Sequence, residues 1–211
     1  MKKFVCLLFL LPLFAFDSGD KFLDKIELYQ KGSYFKKQVY ADKDWKSFYE
    51  MLDINQVVNP DNYDLHLMGA AVFFATNKLR ESKHLKTLAF SPELRDAAVV
   101  ETQQMIDKNF FSHFNNRTPK LHSPEDRIKM FGVKSSAMGE NIDLTNIEMP
   151  SKVTYIQLAE KIVKAFYDSP EHRKIMLGKI YTHIGCSAIF ENLDKQEHRY
   201  IKTTQDFSAD Y

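Results

Sequence analysis

The six residues DSPEHR at positions 168–173 lie where one helical pattern ends and another begins. Their serine, proline and glutamate suit the N-cap, N1 and N2 positions of a helix. A serine oxygen accepts a backbone N–H, proline at N1 has no donor to lose, and glutamate meets the positive end of the helix dipole. The same tripeptide stands at residues 91–93 and 123–125. One local signal therefore predicts three helix starts.

Helical periodicity connects these signals. Met68, Val72, Ala75 and Leu79 form an apolar stripe with helical spacing that begins near residue 65 and ends near Ser82. The helix-start signals and the apolar spacing then predict helices over about residues 92–108, 124–131 and 154–168, and a short helix from residue 170.

The last part of the chain has the two-residue period of β-strands. Apolar Ile184, Cys186, Ala188 and Phe190 alternate with other residues. A polar connection leads to a second run over residues 199–207, and the two runs predict an antiparallel hairpin. A third strand is expected to start at residues 141–142. Because helices come first and strands are interleaved or last, the pattern indicates a layered α+β domain.

The N-terminus has the pattern of a signal peptide. Lys2 and Lys3 precede an apolar run over residues 4–16, which is too short to span a bilayer comfortably. We predict that residues 1–16 are a signal peptide, that cleavage falls near residues 15–18, and that the protein is secreted, periplasmic or on the cell surface. A retained interfacial anchor is the alternative. The mature chain is expected to have no transmembrane span.

Residues 17–64 are expected to be an N-terminal extension before a main domain at residues 65–211. An apolar stripe with helical spacing stands out in it, formed by Trp45, Phe48, Tyr49 and Leu52. A helix over this stripe, capped by Asp42 or Asp44, is predicted to dock on the main domain. Binding of a partner is the alternative role for this helix, and a cover over a functional cleft is a third.

Composition limits the classes of function. The chain has 211 residues with 44% hydrophobic and 27% charged residues, as in ordinary globular proteins. Its 29 basic and 28 acidic residues give a net charge of +1. Neither sign dominates, so we expect no nucleic-acid partner. After removal of the signal peptide Cys186 is the one cysteine left, so no disulfide is expected.

Several short motifs occur together in one known family. In chain order they are NKLR at 77–80, LAFSP at 88–92, FSH at 111–113, DRI at 126–128, GENI at 139–142, SPEHR at 169–173, HIG at 183–185 and TQDF at 204–207. From about residue 65 to residue 207 the chain resembles the CAP superfamily of cysteine-rich secretory proteins, antigen 5 and pathogenesis-related proteins. The resemblance is to its bacterial, SCP-like branch. It implies an α-β-α sandwich with a central antiparallel sheet flanked by helices.

The resemblance also implies a surface cleft with two histidines and two acidic residues. By motif, His113, Glu140 and His172 take three of these places. The place of the second acid is matched by Ser169, with Asp168 beside it. The chain therefore departs from the complete set of four, which weakens the case for a catalytic pair of acids.

The three motif residues leave several kinds of site open. His113 and His172, with Glu140, could bind a divalent metal such as Zn²⁺. Glu140 could instead hydrogen-bond one histidine and fix its tautomer. A purely structural cluster that satisfies buried polar groups is the third reading. His172 is expected to stay neutral, because the helix dipole at its position disfavours the imidazolium.

We therefore predict an exported, non-enzymatic binding or interaction module with a His/Glu cleft. The resemblance implies a lipid or sterol, a cell-wall component or a host ligand as partner. A metal- or His/Glu-dependent hydrolase of the peptidase type is the alternative. The export signal, the resemblance and the incomplete pair of acids favour binding, and no convincing nucleophile is present. Cys186 is expected to be an inert thiol on the apolar face of its strand.

Overall fold

The computed structural model describes residues 37–149, 152–191 and 198–210. The predicted signal peptide, the first part of the extension and the connection of the C-terminal hairpin lie outside these ranges. None of the helices in the described ranges is long and apolar enough to cross a membrane.

The described residues form α-helices and β-strands. The helices are α1 (Lys37–Asp42), α2 (Trp45–Tyr49), α3 (Leu65–Ser82), α4 (Pro92–Asp107), α5 (Pro124–Met130), α6 (Tyr155–Asp168) and α7 (Pro170–Met176). The strands are β1 (Ala89–Phe90), β2 (Met138–Glu148), β3 (His183–Phe190) and β4 (His198–Ser208). The predicted bounds of α3 to α6 and the predicted start of α7 agree with these to within one residue.

The helix-start signals act as predicted at two of the three sites. The Ser91 side chain accepts from the Leu94 N–H at 3.0 Å. Ser123 and Asp126 form a reciprocal capping box. Ser169 is different, because it stands at the N-cap of α7 but its side chain makes no capping hydrogen bond. Only its main-chain carbonyl takes part, as the acceptor for the Arg173 N–H at 2.9 Å.

The sheet has the order β1-β3-β4-β2, so β2 lies at an edge. β3 and β2 both pair antiparallel with β4, which confirms the predicted hairpin and third strand. β2 begins at Met138, three residues before its predicted start. The two-residue strand β1 was not predicted, and it pairs parallel with β3, so the sheet is not entirely antiparallel.

Two neighbouring residues of β4 show the layers on either side of the sheet. Thr204 Oγ1 is hydrogen-bonded to Thr102 of α4 at 2.8 Å. The next residue, Gln205, donates to Thr76 of α3 at 2.8 Å. Successive side chains of a strand point to opposite faces, so α3 and α4 cover opposite faces of the sheet. This confirms the α-β-α sandwich.

The described part of the extension packs into the main core. The buried ring of Phe48 in α2 stacks on Phe74 of α3 with 4.1 Å between centroids. Asp44 caps α2 through the Ser47 N–H. The predicted stripe is too long, because α2 ends at Tyr49 and Leu52 is 85% exposed. Tyr40 of α1 stacks on Phe90 of β1, and β1 and β2 are at opposite edges of the sheet.

Cys186 is a free thiol in the core. Burial, and then the nearby Asp206 carboxyl, raises the pKa of the Cys186 thiol well above its usual value. A thiol attacks as its thiolate, so these surroundings keep Cys186 in its unreactive form.

Candidate functional site

Glu140 on β2 is the centre of the candidate site. Its side chain is 1% exposed, and both of its oxygens have partners. Oε1 lies 2.8 Å from Nδ1 of His113, and Oε2 accepts from Nη2 of Arg127 at 2.7 Å. Glu140 therefore bridges a buried arginine and a partly exposed histidine.

Arg127 of α5 holds the other parts of the site together. Its guanidinium is fully buried and donates to the carbonyl oxygens of Leu121 at 2.9 Å and His113 at 3.0 Å. Nε also lies 3.1 Å from Oε2 of Glu101 on α4. Arginine suits this place because its planar fork presents several donors in fixed directions. It ties α4, α5, β2 and the loop that carries His113.

Two further buried carboxyl groups surround this arginine. Asp206 of β4 stands opposite Glu140 in the sheet register, and Glu101 approaches Arg127 from α4. Burial raises the pKa of Glu101 to about 8, against the opposing charge of Arg127. Burial, and then the charge of Glu140, raises the pKa of Asp206 well above its usual range. Both carboxyl groups thus hold their protons more tightly in the folded protein than in water, and Arg127 lies between them and the Glu140 side chain.

Sequence reasoning did not find Glu101, Arg127 or Asp206 as parts of the site. Glu101 follows the run AAVV at 97–100, and an acid inside such a buried helical stripe is a usable signal. Arg127 and Asp206 lie within the motifs DRI and TQDF, but the motifs do not say which side chains they meet.

His113 presents one ring nitrogen to solvent. Its side chain is 40% exposed, and Nδ1 faces the Glu140 carboxylate. A carboxylate only accepts, so we assign the ring proton to Nδ1, which leaves Nε2 as an acceptor. This arrangement corresponds to the tautomer-fixing role that was one of the predicted alternatives for Glu140.

A cavity of about 600 Å³ opens beside His113 and Glu140. Its other walls combine apolar side chains with hydroxyl groups and the first residues of β2. The lining includes Phe114, Ser123, Ser135, Ser136, Met138, Gly139 and Ile175. Phe114 is among the exposed large apolar residues, so its ring is available to a ligand.

His172 lies beside this cavity and is not part of its lining. Its ring meets Phe166 edge-on at 5.4 Å, and its carbonyl oxygen accepts from Nδ2 of Asn141 at 3.1 Å. Desolvation, and then the electrostatic interaction with His113, lowers the pKa of His172, whereas Asp143 and Glu171 act in the opposite direction. The imidazole is thus neutral at pH 7. The prediction invoked the helix dipole, whereas desolvation is the main cause.

The structure does not bring Asp168 to this cleft. Its side chain is exposed and pairs with Lys164, one turn earlier on α6. Ser169 makes no side-chain cap at the start of α7. The acid near His172 is Asp143 of β2, whose pKa is raised by burial. Asp143 comes three residues after Glu140 on β2. Because side chains alternate along a strand, the two acids lie on opposite faces of the sheet.

The donor set does not suit the Zn²⁺ site that was one prediction. Within residues 37–149, 152–191 and 198–210, no group of three or more His, Cys, Asp or Glu side chains is arranged to hold a metal ion. Both oxygens of Glu140 are engaged, which leaves only the imidazoles of His113 and His172. Catalytic zinc usually has three protein ligands. Zinc binding by these two histidines stays a prediction.

The fold and the cleft define a class of protein. The sequence profile of the cysteine-rich secretory protein family, CAP, matches residues 73–201. The match covers more than half of the chain, so this chain belongs to the CAP family, which confirms the resemblance.

Two curated bacterial proteins are similar to parts of the chain. The uncharacterized protein YkwD of Bacillus subtilis is 36% identical over 114 residues, which is 54% of this chain and 39% of that protein. The uncharacterized membrane protein YlbC of the same organism is 25% identical over 159 residues, 75% of this chain and 38% of that protein. The matched stretches thus span about two fifths of these relatives.

Solved structures agree with the SCP-like bacterial branch. An extracellular protein with an SCP domain from Bacillus anthracis has a TM-score of 0.51 and 25% identity, and the match covers 72% of this chain and 44% of that one. An outer surface protein of Borrelia burgdorferi has a TM-score of 0.53 and 14% identity, with 68% and 93% covered. At 14% identity, the similarity to the Borrelia protein shows a shared fold and nothing more.

Proposed function

We propose that this chain is a non-enzymatic binding module whose cleft between His113 and the first residues of β2 holds a ligand with hydrogen-bonding groups. One observation carries the proposal, namely the full engagement of Glu140 by Arg127 and His113. Both oxygens of this carboxylate already have hydrogen-bond partners, which leaves neither of them free for a metal ion. It serves instead to hold the His113 ring, with Nε2 and the Phe114 ring as contact points beside a cavity of about 600 Å³.

The cavity walls bear on the kind of ligand. Three serine hydroxyls and a histidine line it together with apolar side chains. Such walls suit a ligand with polar groups along an apolar frame better than a wholly apolar chain. Cell-wall and host components, and amphipathic lipids such as sterols, are all compatible with this description.

A His/Glu-dependent hydrolase is the second candidate. It is supported by the pairing of His113 Nδ1 with Glu140, because a carboxylate that orients a histidine is the arrangement of a general base. A broad peptidase and glycosidase screen tests it on the wild type and on His113→Ala combined with His172→Ala. No activity, or equal activity in both proteins, removes this candidate. Zinc titration of the same two proteins tests whether His113 and His172 bind Zn²⁺.

We propose that the module acts outside the cytoplasm, with residues 1–16 as signal peptide, 17–64 as extension and 65–211 as the CAP domain. The signal-like pattern at residues 2–16 supports this. The structurally similar proteins from Bacillus anthracis and Borrelia burgdorferi are described as extracellular and outer surface proteins. Cell fractionation and N-terminal sequencing of the mature chain test it. A chain that keeps residues 1–16 and stays in the cytoplasm contradicts it.

Isothermal titration tests the binding function directly. Fatty acids, sterols, chito-oligosaccharides and peptides are titrated into the wild type and into His113→Ala. At least one class is expected to bind, with a loss of about tenfold or more in the variant. His84→Asn is the matched control, since His84 is exposed at the end of α3 and has the positive φ of 58° that asparagine tolerates. Flat traces for every class refute the proposal.

A further inference from the structure

Arg80 of α3 is a buried cation without an acidic partner. Three arginines are buried in the described part of the chain, and two of them, Arg127 and Arg199, form ion pairs with carboxylates. Arg80 is 2% exposed, and burial lowers the pKa of its guanidinium with no described acid acting in the opposite direction. Buried charges are normally paired, so Arg80 lacks the counter-charge that the other two have.

Main-chain carbonyls occupy two of the three nitrogens of this guanidinium. Nε donates to the carbonyl oxygen of Lys86 at 3.0 Å, and Nη1 donates to those of Met176 at 2.7 Å and Gly178 at 3.2 Å. The third nitrogen, Nη2, donates to none of the described residues, and it is not sealed off from solvent. Arg80 forms part of the wall of a cavity of about 420 Å³, so Nη2 is the nitrogen that faces this cavity.

The rim of this cavity, which we call the Arg80 pocket, is basic. Lys86 from the loop after α3 and Lys179 from the loop before β3 are exposed and have no ion pair within the described ranges. The described lining contains no aspartate or glutamate, and the Thr87 hydroxyl adds a hydrogen-bond donor. The C-terminal ends of α3 and α7 carry about half a negative charge each, which is less than the three positive charges of Arg80 and the lysines.

We infer that the Arg80 pocket binds the phosphate group of a phosphomonoester, at a site separate from the cleft beside His113. A phosphomonoester carries a charge of about −1.5 to −2, which three cations match better than the single charge of a carboxylate. Arginine usually holds a carboxylate with two parallel N–H bonds, but at Arg80 only Nη2 is free. Lysines bind phosphate as point charges and need no fixed geometry.

The size of the pocket indicates that the phosphate carries an organic group. A cavity of about 420 Å³ is much larger than an inorganic phosphate ion, and Leu85 and Tyr181 give it apolar surface. A soluble phosphomonoester and the headgroup of a phosphomonoester lipid share this chemistry. This function is additional to ligand binding in the cleft and does not depend on it.

The first test is an NMR titration of the full chain at constant ionic strength. Inorganic phosphate and glycerol 3-phosphate are expected to shift the amide signals of residues 84–87 and 178–182, with tighter binding of glycerol 3-phosphate. Acetate and glycerol are expected to leave these signals unchanged. Co-sedimentation with phosphatidylcholine vesicles, with and without phosphatidic acid, tests the lipid source. A response confined to the vesicles with phosphatidic acid supports a lipid phosphomonoester.

The second test changes the rim of the pocket. Lys86→Gln combined with Lys179→Gln removes two cations from exposed positions, and the affinity for glycerol 3-phosphate is expected to fall about tenfold or more. Lys120→Gln combined with Lys174→Gln is the matched control, because it removes the same charge from exposed positions outside the pocket. Arg80 is left unchanged, since it also holds three main-chain carbonyls.

Three outcomes overturn the inference. The first is a lack of response to every phosphate probe, and the second is binding of acetate as tight as that of phosphate. The third is equal weakening in both double variants, which would show a general attraction to basic surfaces. His113→Ala is expected to leave phosphate binding unchanged, so a failure of the binding function of the cleft is distinguished from a failure of this inference.

Discussion

Nη2 of Arg127 donates to the main-chain carbonyl of His113 at 3.0 Å, and the same nitrogen reaches Glu140 at 2.7 Å. One buried guanidinium thus fixes the backbone of His113 directly and its ring through Glu140. Arg127 therefore fixes the position of Nε2 of His113, the ring nitrogen that is offered to a ligand. Arg127 itself is fully buried and cannot contact a ligand.

Arg127→Lys is expected to loosen this arrangement. A lysine keeps the charge but cannot reach two carbonyls and a carboxylate at once, so we expect the free energy of unfolding to fall by about 2–4 kcal/mol. Urea denaturation measures it. The exposed Arg117→Lys serves as control and should change stability by less than about 0.5 kcal/mol. Equal stability of the two variants would mean that the fork geometry is unimportant.

Glu140→Ala is expected to free the His113 ring. In the wild type, nitrogen NMR above the titration range of histidine should find the proton of His113 on Nδ1, because the carboxylate accepts it there. In the variant the ring should exchange between both tautomers. The spectrum of His84, which is exposed and does not line the cavity, is the internal control. A wild-type His113 that is protonated on Nε2 would contradict the assignment.

Glu101→Gln is expected to change how stability depends on pH. Burial raises the pKa of Glu101 from its usual 4.5 to about 8, so the folded protein binds a proton that the unfolded chain releases. The contribution of Glu101 to the free energy of unfolding is fully present below pH 4.5 and is lost as the pH rises towards 8. The loss is at most about 1.4 kcal/mol per pH unit. Arg127, Glu140 and Asp206 face the same carboxyl, and Asp206 shifts in the same direction.

The glutamine variant lacks this titration, so its advantage over the wild type should grow between pH 5 and pH 8. Urea unfolding at several pH values in this range measures the difference. Glu50→Gln, at an exposed position, should run parallel to the wild type. A constant difference between Glu101→Gln and the wild type would show that Glu101 is ionised throughout.

Phe48→Ala tests whether the extension belongs to the folded unit. The ring is fully buried against Phe74, so its removal should cost about 3–5 kcal/mol. Leu52→Ala, at a position with 85% exposure, should cost less than about 0.5 kcal/mol. Thermal and urea unfolding of the whole chain compare them. A small effect of Phe48→Ala would mean that α2 contributes little to the main core.

Local patterns explain why so much of the fold was predictable. A proline at N1 and a serine before it act within one helical turn, so α4, α5 and α7 begin where the sequence predicts. The apolar period of α3 and the alternation in β3 also depend on near neighbours only. The Ser-Pro-Glu pattern predicts where α7 starts but not the capping hydrogen bond, because the Ser169 side chain does not cap the helix.

Contacts between distant segments account for what was missed. The spacing in α2 is helical as far as Leu52, but packing on α3 is complete at Tyr49, and Leu52 is left in solvent. Asp168 follows α6 to its end, where the helix phase turns it towards Lys164 and away from the cleft. The partners of Glu140 come from residues 13 and 27 positions away along the chain.

The sequence by itself determined the family, the helix starts, the strand runs and three motif residues, His113, Glu140 and His172, because these follow from local chemistry and from motif order. Only the tertiary structure decided that Glu140 is shared between Arg127 and His113, that Glu101 and Asp206 are buried near it with raised pKa values, and that β2 lies at the edge of the sheet. Burial and electrostatic pairing depend on which segments meet, and no local pattern contains that information.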